Sequence, residues 1–373
     1  MRGDAPGASL RLTALGAAGA CTAAVVSGAS GSSAHRAIAT IALPPLIALV
    51  VAAAWAHRRL LPPAVASLAL AATAVLAAST FRGRKVPRGS ARDYLTLTKP
   101  RIMSLLLVTG ACGMIVGARG APDPGRLGLM LLGLALACGG ASALNHVLDR
   151  DIDRLMGPRT ARRPVASGRL TAPRALEFGI ALSACSFAVL ASTINLATAA
   201  LALAGNLFYV VVYTGYLKRR GPANIVLGGA AGAVPPLVGY AAATGSLALP
   251  ALWLFLIVFL WTPPHFWALA LLLREQYAAA QVPMLPVVRG ERETVNQIVG
   301  YTFALVAFTV VPFAAGSLGV LYLVSALGLG AGFVALAVRL RHNYDRRAAA
   351  FVFHYSLLYL ALLFAAAALD VVV

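Results

Sequence analysis

"LGLMLLGLALACGGASALNHVLDRDIDRLM", residues 127–156, decides how the chain is read. Its first eighteen residues carry no charge, and its last twelve hold three Asp and two Arg. An apolar run of that length crosses a hydrocarbon core of roughly 30 Å as a helix. A bilayer offers no hydrogen bonds to the backbone, so a crossing segment must satisfy its own, which a helix does. The stretch therefore reads as a membrane span that delivers charged residues to one membrane face. "GPRTARRP" (157–164) adds three more Arg at once.

The remaining chain repeats the pattern. Of its 373 residues, 60% are hydrophobic and 12% charged, outside the range of soluble globular domains. Downstream of residue 101, apolar runs fall near 102–118, 127–147, 175–191, 194–214, 224–243, 249–273, 297–315, 317–338 and 350–369. The alternation of a membrane β-barrel is absent. The expectation is an all-α polytopic membrane protein with a core of nine spans. Two or three extra N-terminal helices come from runs near 9–28, 38–56 and 64–81. The domain reading is an N-terminal membrane extension of unknown role (1–81), a basic linker (82–92) and a main domain (93–373).

The net charge of +19 would suggest nucleic acid in a soluble protein. Here it reads as loops that set topology and face anionic lipid, so lipid is the expected partner and nucleic acid is not. Basic residues alternate from loop to loop. Residues 81–101 hold seven Lys or Arg, 149–174 seven Arg, "LKRRGPA" (217–223) three and "RLRHNYDRR" (339–347) four. The loop at 274–296 holds Arg274, Arg289 and Arg292, while the turns near 192, 244–249 and 316 hold none. This alternation places the polar loops 149–174 and 274–296 together on the cytoplasmic face. "HRRLLPP" (57–63) breaks the rule if the prelude has three spans. Cys21, Cys112, Cys138 and Cys185 sit in apolar runs without metal-ligand spacing and read as packing thiols.

Asn145, Asp149 and Asp153 stand four apart, which puts one amide and two carboxylates on one helix face. Carboxylates so placed repel unless a cation lies between them. Mg²⁺ prefers one or two carboxylates with the rest of its shell from water and substrate phosphate. Arg159, Arg162, Arg163 and Arg169 follow, and guanidinium groups bind phosphate oxygens in pairs. Both halves of a metal–diphosphate clamp are present.

On these residues the chain resembles the UbiA-type membrane prenyltransferases. "NHVLDRDIDRLM…RTARRP" is similar to the family's first Asp-rich motif, and "DYLTLTKPRIMSLLLVTGACGM" (93–114) to the opening of its first helix. "YTGYLKRRGPANIVLGGAAGAVPPLVGYAAATG" (213–245) resembles its fourth-to-fifth helix region. "FLWTPPHFWALAL" (259–271) and "VPMLPVVRG" (282–290) resemble its heme-directed branch. The resemblance covers roughly 93–370.

It implies nine helices around a cavity open to the cytoplasm, in the inner (plasma) membrane. The implied reaction moves a farnesyl group from farnesyl diphosphate, with Mg²⁺, to a vinyl group of protoheme. Asn145, Asp149 and Asp153 match the metal–diphosphate residues; Lys99, Arg101, Arg159, Arg163, Lys218 and Asn224 match diphosphate-side positions. Heme A synthase, the enzyme of the following step, is the implied partner. Two alternatives stay open: a family member acting on a quinone precursor or other aromatic acceptor, and a non-catalytic heme- or lipid-binding protein.

Other residues keep two readings. Lys99-Pro100-Arg101 and Lys218 either touch substrate or anchor helix ends at the interface. Asn224 is a site residue or a helix N-cap. His265 follows Pro263 and Pro264, which predict a helix break, and is a heme ligand, a proton carrier or a partner for a freed carbonyl. His146 is a second candidate to reach heme. Tyr213, Phe266, Trp267 and Tyr277 are candidates for facing an allylic cation, or else pack; Tyr277 is also a candidate acceptor contact. "GGAAGAVPP" (228–236) reads as tight helix packing. Departures from the family pattern are Gln276, where the second acidic motif has Asp, and Gln281, where it has Gly. Glu275 is the nearest acid, one residue and about 100° away, and the candidate for a second metal contact. "LMGPRT" is one residue longer than the family pattern, which displaces Arg159.

Overall fold

The structure, a computed structural model, describes residues 89–373. The three prelude runs, Cys21 and most of the basic linker lie outside the described residues. Helices build the described part in the order α1 (Ala91–Leu97), α2 (Pro100–Ala118), α3 (Pro124–Leu148), α4 (Arg150–Leu155), α5 (Pro158–Ala161), α6 (Ala172–Thr193) and α7 (Leu196–Leu207). A π-helical stretch (Phe208–Tyr216) and a 3₁₀ turn (Leu217–Arg219) continue α7. Then come α8 (Asn224–Thr244), α9 (Leu249–Leu272), α10 (Arg274–Ala279), α11 (Leu285–Val288), α12 (Gly290–Phe308), α13 (Val311–Ala314), α14 (Val320–His342) and α15 (Arg346–Asp370). Among the described residues, nine segments are long and apolar enough to cross a membrane. This is a multi-pass membrane protein.

The spans fall where the hydropathy placed them, with differences at their ends. α12 starts at Gly290 and takes Glu291, Arg292 and Glu293 into its first turn. A helix continues past the hydrocarbon wherever its backbone bonds stay satisfied, so polar residues do not end it. α9 runs unbroken through Pro263 and Pro264, contrary to the predicted break. Inside a bundle, neighbouring helices support the turn that lacks its N–H donors, and α9 packs on α8, α12 and α15.

Where lipid removes the hydrophobic force between helices, close backbone approach holds them together. α2 and α8 show this. A Cβ added at Gly239 would overlap the Gly110 carbonyl oxygen, and one at Gly113 would overlap Pro236. The small residues at 228–236 pack differently along their length: Gly228 lies under the Tyr213 ring and Gly229 against Thr262.

Side-chain links gather alternate helix ends. At one end Arg169 bonds Asp93 at 2.9 Å, Arg219 bonds Asp151 at 2.7 Å and Arg274 bonds Glu291 at 3.2 Å. The side chain of Gln276 lies against Gly157, so the polar loops after α3 and α9 meet. At the other end Asn195 donates to the Ala241 carbonyl, Arg126 to the Ala242 carbonyl, and Asp370 accepts from Gly319 and Tyr322.

Candidate functional site

The acidic stripe forms at the polar end of α3. That helix stops at Leu148 and Asp149 caps it, yet the four-residue register continues. The Asp149 N–H donates to the Asn145 carbonyl at 2.8 Å and the Asp153 N–H to the Asp149 carbonyl at 2.8 Å. The three side chains therefore share one face across the joint into α4. They are also enclosed: Asn145, Asp149 and Asp153 are 3%, 1% and 0% exposed. The implied opening to the aqueous side does not stand over the stripe, because basic side chains cover it.

Each member of the stripe has a cationic partner. Lys99 donates to Asn145 Oδ1 at 2.9 Å, Lys218 to Asp149 Oδ2 at 2.6 Å and Arg163 to Asp153 Oδ1 at 2.6 Å. Asn145 spends its amide protons on Asp149 Oδ2 (2.7 Å) and Thr214 Oγ1 (3.1 Å), which fixes its orientation. Lys99 reaches inward because it sits in the left-handed region, φ 50°, just before Pro100. Proline disfavours the right-handed helical region in the residue before it. Burial, with Arg163 and Lys218 nearby, pushes the Lys99 ammonium down to about 7. Burial raises the Asp153 carboxyl despite its Arg163 partner.

Asp149 Oδ1 and Asp153 Oδ2 are buried and have no hydrogen-bond partner. Such acceptors are costly unless a ligand completes them. Two carboxylates with one free oxygen each suit Mg²⁺ that takes its other ligands from water and phosphate. Among the described residues, no group of three His, Cys, Asp or Glu could hold a metal alone.

The other sequence-predicted residues divide. Asn224 is 2% exposed and donates to the Lys218 carbonyl at 3.3 Å, bracing the residue that holds Asp149. Ala223, not Asn224, is the N-cap of α8. Tyr277 is buried on α10, within reach of the charges of Arg163 and Asp149; burial pushes its hydroxyl up to about 12. Glu275 is exposed and the structure does not bring it to the stripe. Two residues of helix turn a side chain by about 200°, so with Tyr277 facing inward Glu275 faces out. Arg101 and Arg159 are exposed too and bond none of the stripe acids.

His265 lies flat between Trp261 and Phe353, with ring centroids at 4.2 and 4.8 Å. Its Nδ1 is 2.7 Å from Ser356 Oγ. The Ser356 hydroxyl also lies 2.6 Å from the Phe353 carbonyl, so the three groups are linked at α15. These contacts pack His265 between α9 and α15. His146 is 1% exposed and neither ring nitrogen has a partner. Trp267 packs edge-on against Tyr301, 5.3 Å between centroids.

Sequence reasoning missed three contributors. Tyr209 stacks at a tilt on Tyr213, 5.6 Å between centroids, and lies within reach of the Asp149 and Asp153 charges. Thr214 orients Asn145. Asp151 holds Arg219 with two bonds of 2.7 and 2.8 Å, which keeps its carboxyl well below the usual range and ties α4 to the turn after α7. The π-helical stretch that carries Tyr209, Tyr213 and Thr214 ends at Tyr216, and Lys218 stands in the 3₁₀ turn after it.

A model of the UbiA prenyltransferase family matches residues 106–363. "Protoheme IX farnesyltransferase" of Symbiobacterium thermophilum is 52% identical over 282 residues, covering 75% of this chain and 94% of that one. A protein of the same name from Roseiflexus is 51% identical, covering 76% of this chain and 53% of the relative. The chain spans about half the length of the Roseiflexus and Thermus thermophilus relatives, 53% and 48%. Among solved structures, a UbiA homolog from Archaeoglobus fulgidus bound to DMAPP and Mg²⁺ superposes with a TM-score of 0.60 at 18% identity, covering 74% of this chain and 98% of that one. A digeranylgeranylglyceryl phosphate synthase superposes at 0.63 and 19%, covering 75% and 98%. At these identities the structures show a shared fold.

Proposed function

Because the chain belongs to the UbiA prenyltransferase family, we propose that it transfers the farnesyl group of farnesyl diphosphate to a vinyl group of protoheme. The observation that carries this reading is the pair of buried carboxylates, each clamped by a base through one oxygen and open at the other. The names of the relatives support the choice of donor and acceptor. Residues 93–373 form the prenyltransferase domain, preceded by the linker 82–92 and the extension 1–81. The basic loops support a cytoplasmic site in the inner membrane, with heme A synthase acting on the product.

In the reaction the bond from C1 of the farnesyl chain to the diphosphate oxygen breaks. C1 joins the terminal carbon of the vinyl group. The charge left on the inner vinyl carbon is taken by a water oxygen, and the proton leaves to solvent. Asn145, Asp149 and Asp153 would hold Mg²⁺, which when bound neutralises the departing diphosphate. Lys218, Arg163 and Lys99 lie beside the acids and are placed to bond phosphate oxygens as negative charge builds there. Tyr209, Tyr213 and Tyr277 present aromatic groups next to the same acids, suited to an allylic cation. Burial of the stripe keeps water from capturing that cation early.

The test is a membrane assay with protoheme, farnesyl diphosphate and Mg²⁺, read as farnesylated heme by mass. Wild type makes product, and Asp149→Ala makes less by about a hundredfold or more. Equal turnover in that variant removes Asp149 from the mechanism. Product only with a quinone precursor would move the acceptor to that class.

A further inference from the structure

At the polar end, α12 and α14 border a cleft of about 330 Å³ lined by Glu291, Arg292, Val295, Asn296, Arg341 and Tyr344. Its charges are unbalanced. Glu291, the one acid in the lining, is engaged by Arg274 at 3.2 Å and by the Tyr344 hydroxyl. Arg292 and Arg341 are exposed and make no ion pair among the described residues. They come from different helices, the first turn of α12 and the last turn of α14, and line one hollow. Two guanidinium forks on a shared cleft favour a ligand with oxyanion groups, each held by paired hydrogen bonds.

The position of the cleft narrows the ligand. Arg274, which holds Glu291, opens α10; Tyr277, one turn later, is within reach of Asp149 and Arg163. Residues three apart lie on one face of a helix, so α10 carries the contact to Glu291 and the contact toward the stripe on the same side. A tetrapyrrole carries its carboxylates on one edge and its vinyl groups away from it. The cleft also sits where the spans meet the interface, as its polar lining and the apolar helices beneath it require. A charged head and an apolar body can both be satisfied there.

We propose that this cleft binds the oxyanion edge of a membrane-borne amphiphile through Arg292 and Arg341, with Asn296 as a further hydrogen-bonding group. The chemistry has two sources, the propionate carboxylates of the tetrapyrrole acceptor and the phosphate of an anionic lipid. The first rests on the function proposed above; the second does not.

The test uses the full chain in nanodiscs, with Arg292→Gln, Arg341→Gln and the double variant. Arg292→Lys serves as the fold-preserving control that keeps charge and loses the fork. One arm titrates protoheme by absorbance, beside its dimethyl ester. The other measures retention of phosphatidylglycerol over phosphatidylcholine by native mass spectrometry. If propionates occupy the cleft, each Gln weakens protoheme binding about tenfold and leaves the ester unchanged. If lipid phosphate occupies it, protoheme binding holds and the preference for the anionic lipid is lost. If both arms match wild type in variants that melt at the wild-type temperature, the proposal is overturned. Wild-type turnover on protoheme is measured alongside. Turnover with an unresponsive cleft sinks the cleft alone, while absent turnover sinks the enzyme reading and leaves the lipid arm to judge the cleft.

Discussion

The two polar loops at the same end of the bundle begin alike and do different things. After α3 the chain turns its acids inward: Asp149 and Asp153 are 1% and 0% exposed, and each meets a base. After α9 the chain turns an aromatic group inward and its acid outward: Tyr277 is buried and Glu275 exposed. What separates them is register. The first loop continues the four-residue repeat of α3 through Asp149, so three polar groups share one face. In the second, Tyr277 takes the inward face of a six-residue helix, and Glu275 and Gln276 before it are both exposed. The buried charges are thus concentrated on α3–α4, with Tyr277 of α10 and Tyr209 and Tyr213 of the π-helical stretch beside them.

The contrast is broken most directly by removing charge from each loop. Asp153→Asn is expected to lower turnover about a hundredfold or more, as loss of a preorganised charge does, whereas Glu275→Gln stays within about twofold. Comparable losses in the two would show that the second loop also holds the diphosphate. Next in size is Lys218→Met. It leaves Asp149 buried without its base and deprives the diphosphate of a cation, so binding of farnesyl diphosphate should weaken by about tenfold. Isothermal titration with Mg²⁺ present measures it, and unchanged affinity would make Lys218 a purely structural partner.

Gly228→Ala sharpens the aromatic side. The new methyl overlaps the Tyr213 ring, which must move. The expected cost is about 1–3 kcal/mol in stability, seen as a lower melting temperature, with a several-fold loss of turnover. A melting temperature equal to wild type would mean that Tyr213 has room to retreat. The smallest effect lies at the rim. Ser90 and Arg169 hold the Asp93 carboxyl below its ordinary value. A lowered folded value means that the stabilisation is full above the ordinary carboxylate range and is lost as pH falls through the lowered value. Asp93→Asn should flatten that acid-side slope in thermal melts; an unaltered slope would assign it to other carboxylates.

Much of this was legible in one dimension. Span length and hydropathy are local quantities, so most helix ends of the bundle could be placed within a few residues before any contact was known, the polar start of α12 at Gly290 being the largest exception. The stripe was legible for the same reason, since four-residue spacing is a property of one helix. The partners were not. Lys218 lies 69 residues from Asp149 and Lys99 lies 46 from Asn145, and nothing in either neighbourhood states that they meet. Arg101 and Arg159 look as suitable as Lys99 and Arg163, yet the fold leaves both exposed. The proline pair before His265 announced a break that packing prevented. Tyr209 was overlooked because its closeness to the acids comes from how the π-helical stretch packs against α3, which local spacing does not state.

By itself, the sequence determined a multi-span helical membrane protein and a polar stripe of Asn145, Asp149 and Asp153 on one face, because both follow from periodicity along the backbone. Only the tertiary structure decided which cations close over that stripe, which tyrosines stand beside it and where Glu275 points. Those outcomes depend on how helices far apart in the chain rotate and pack against one another, and that information is spread over every interface in the bundle.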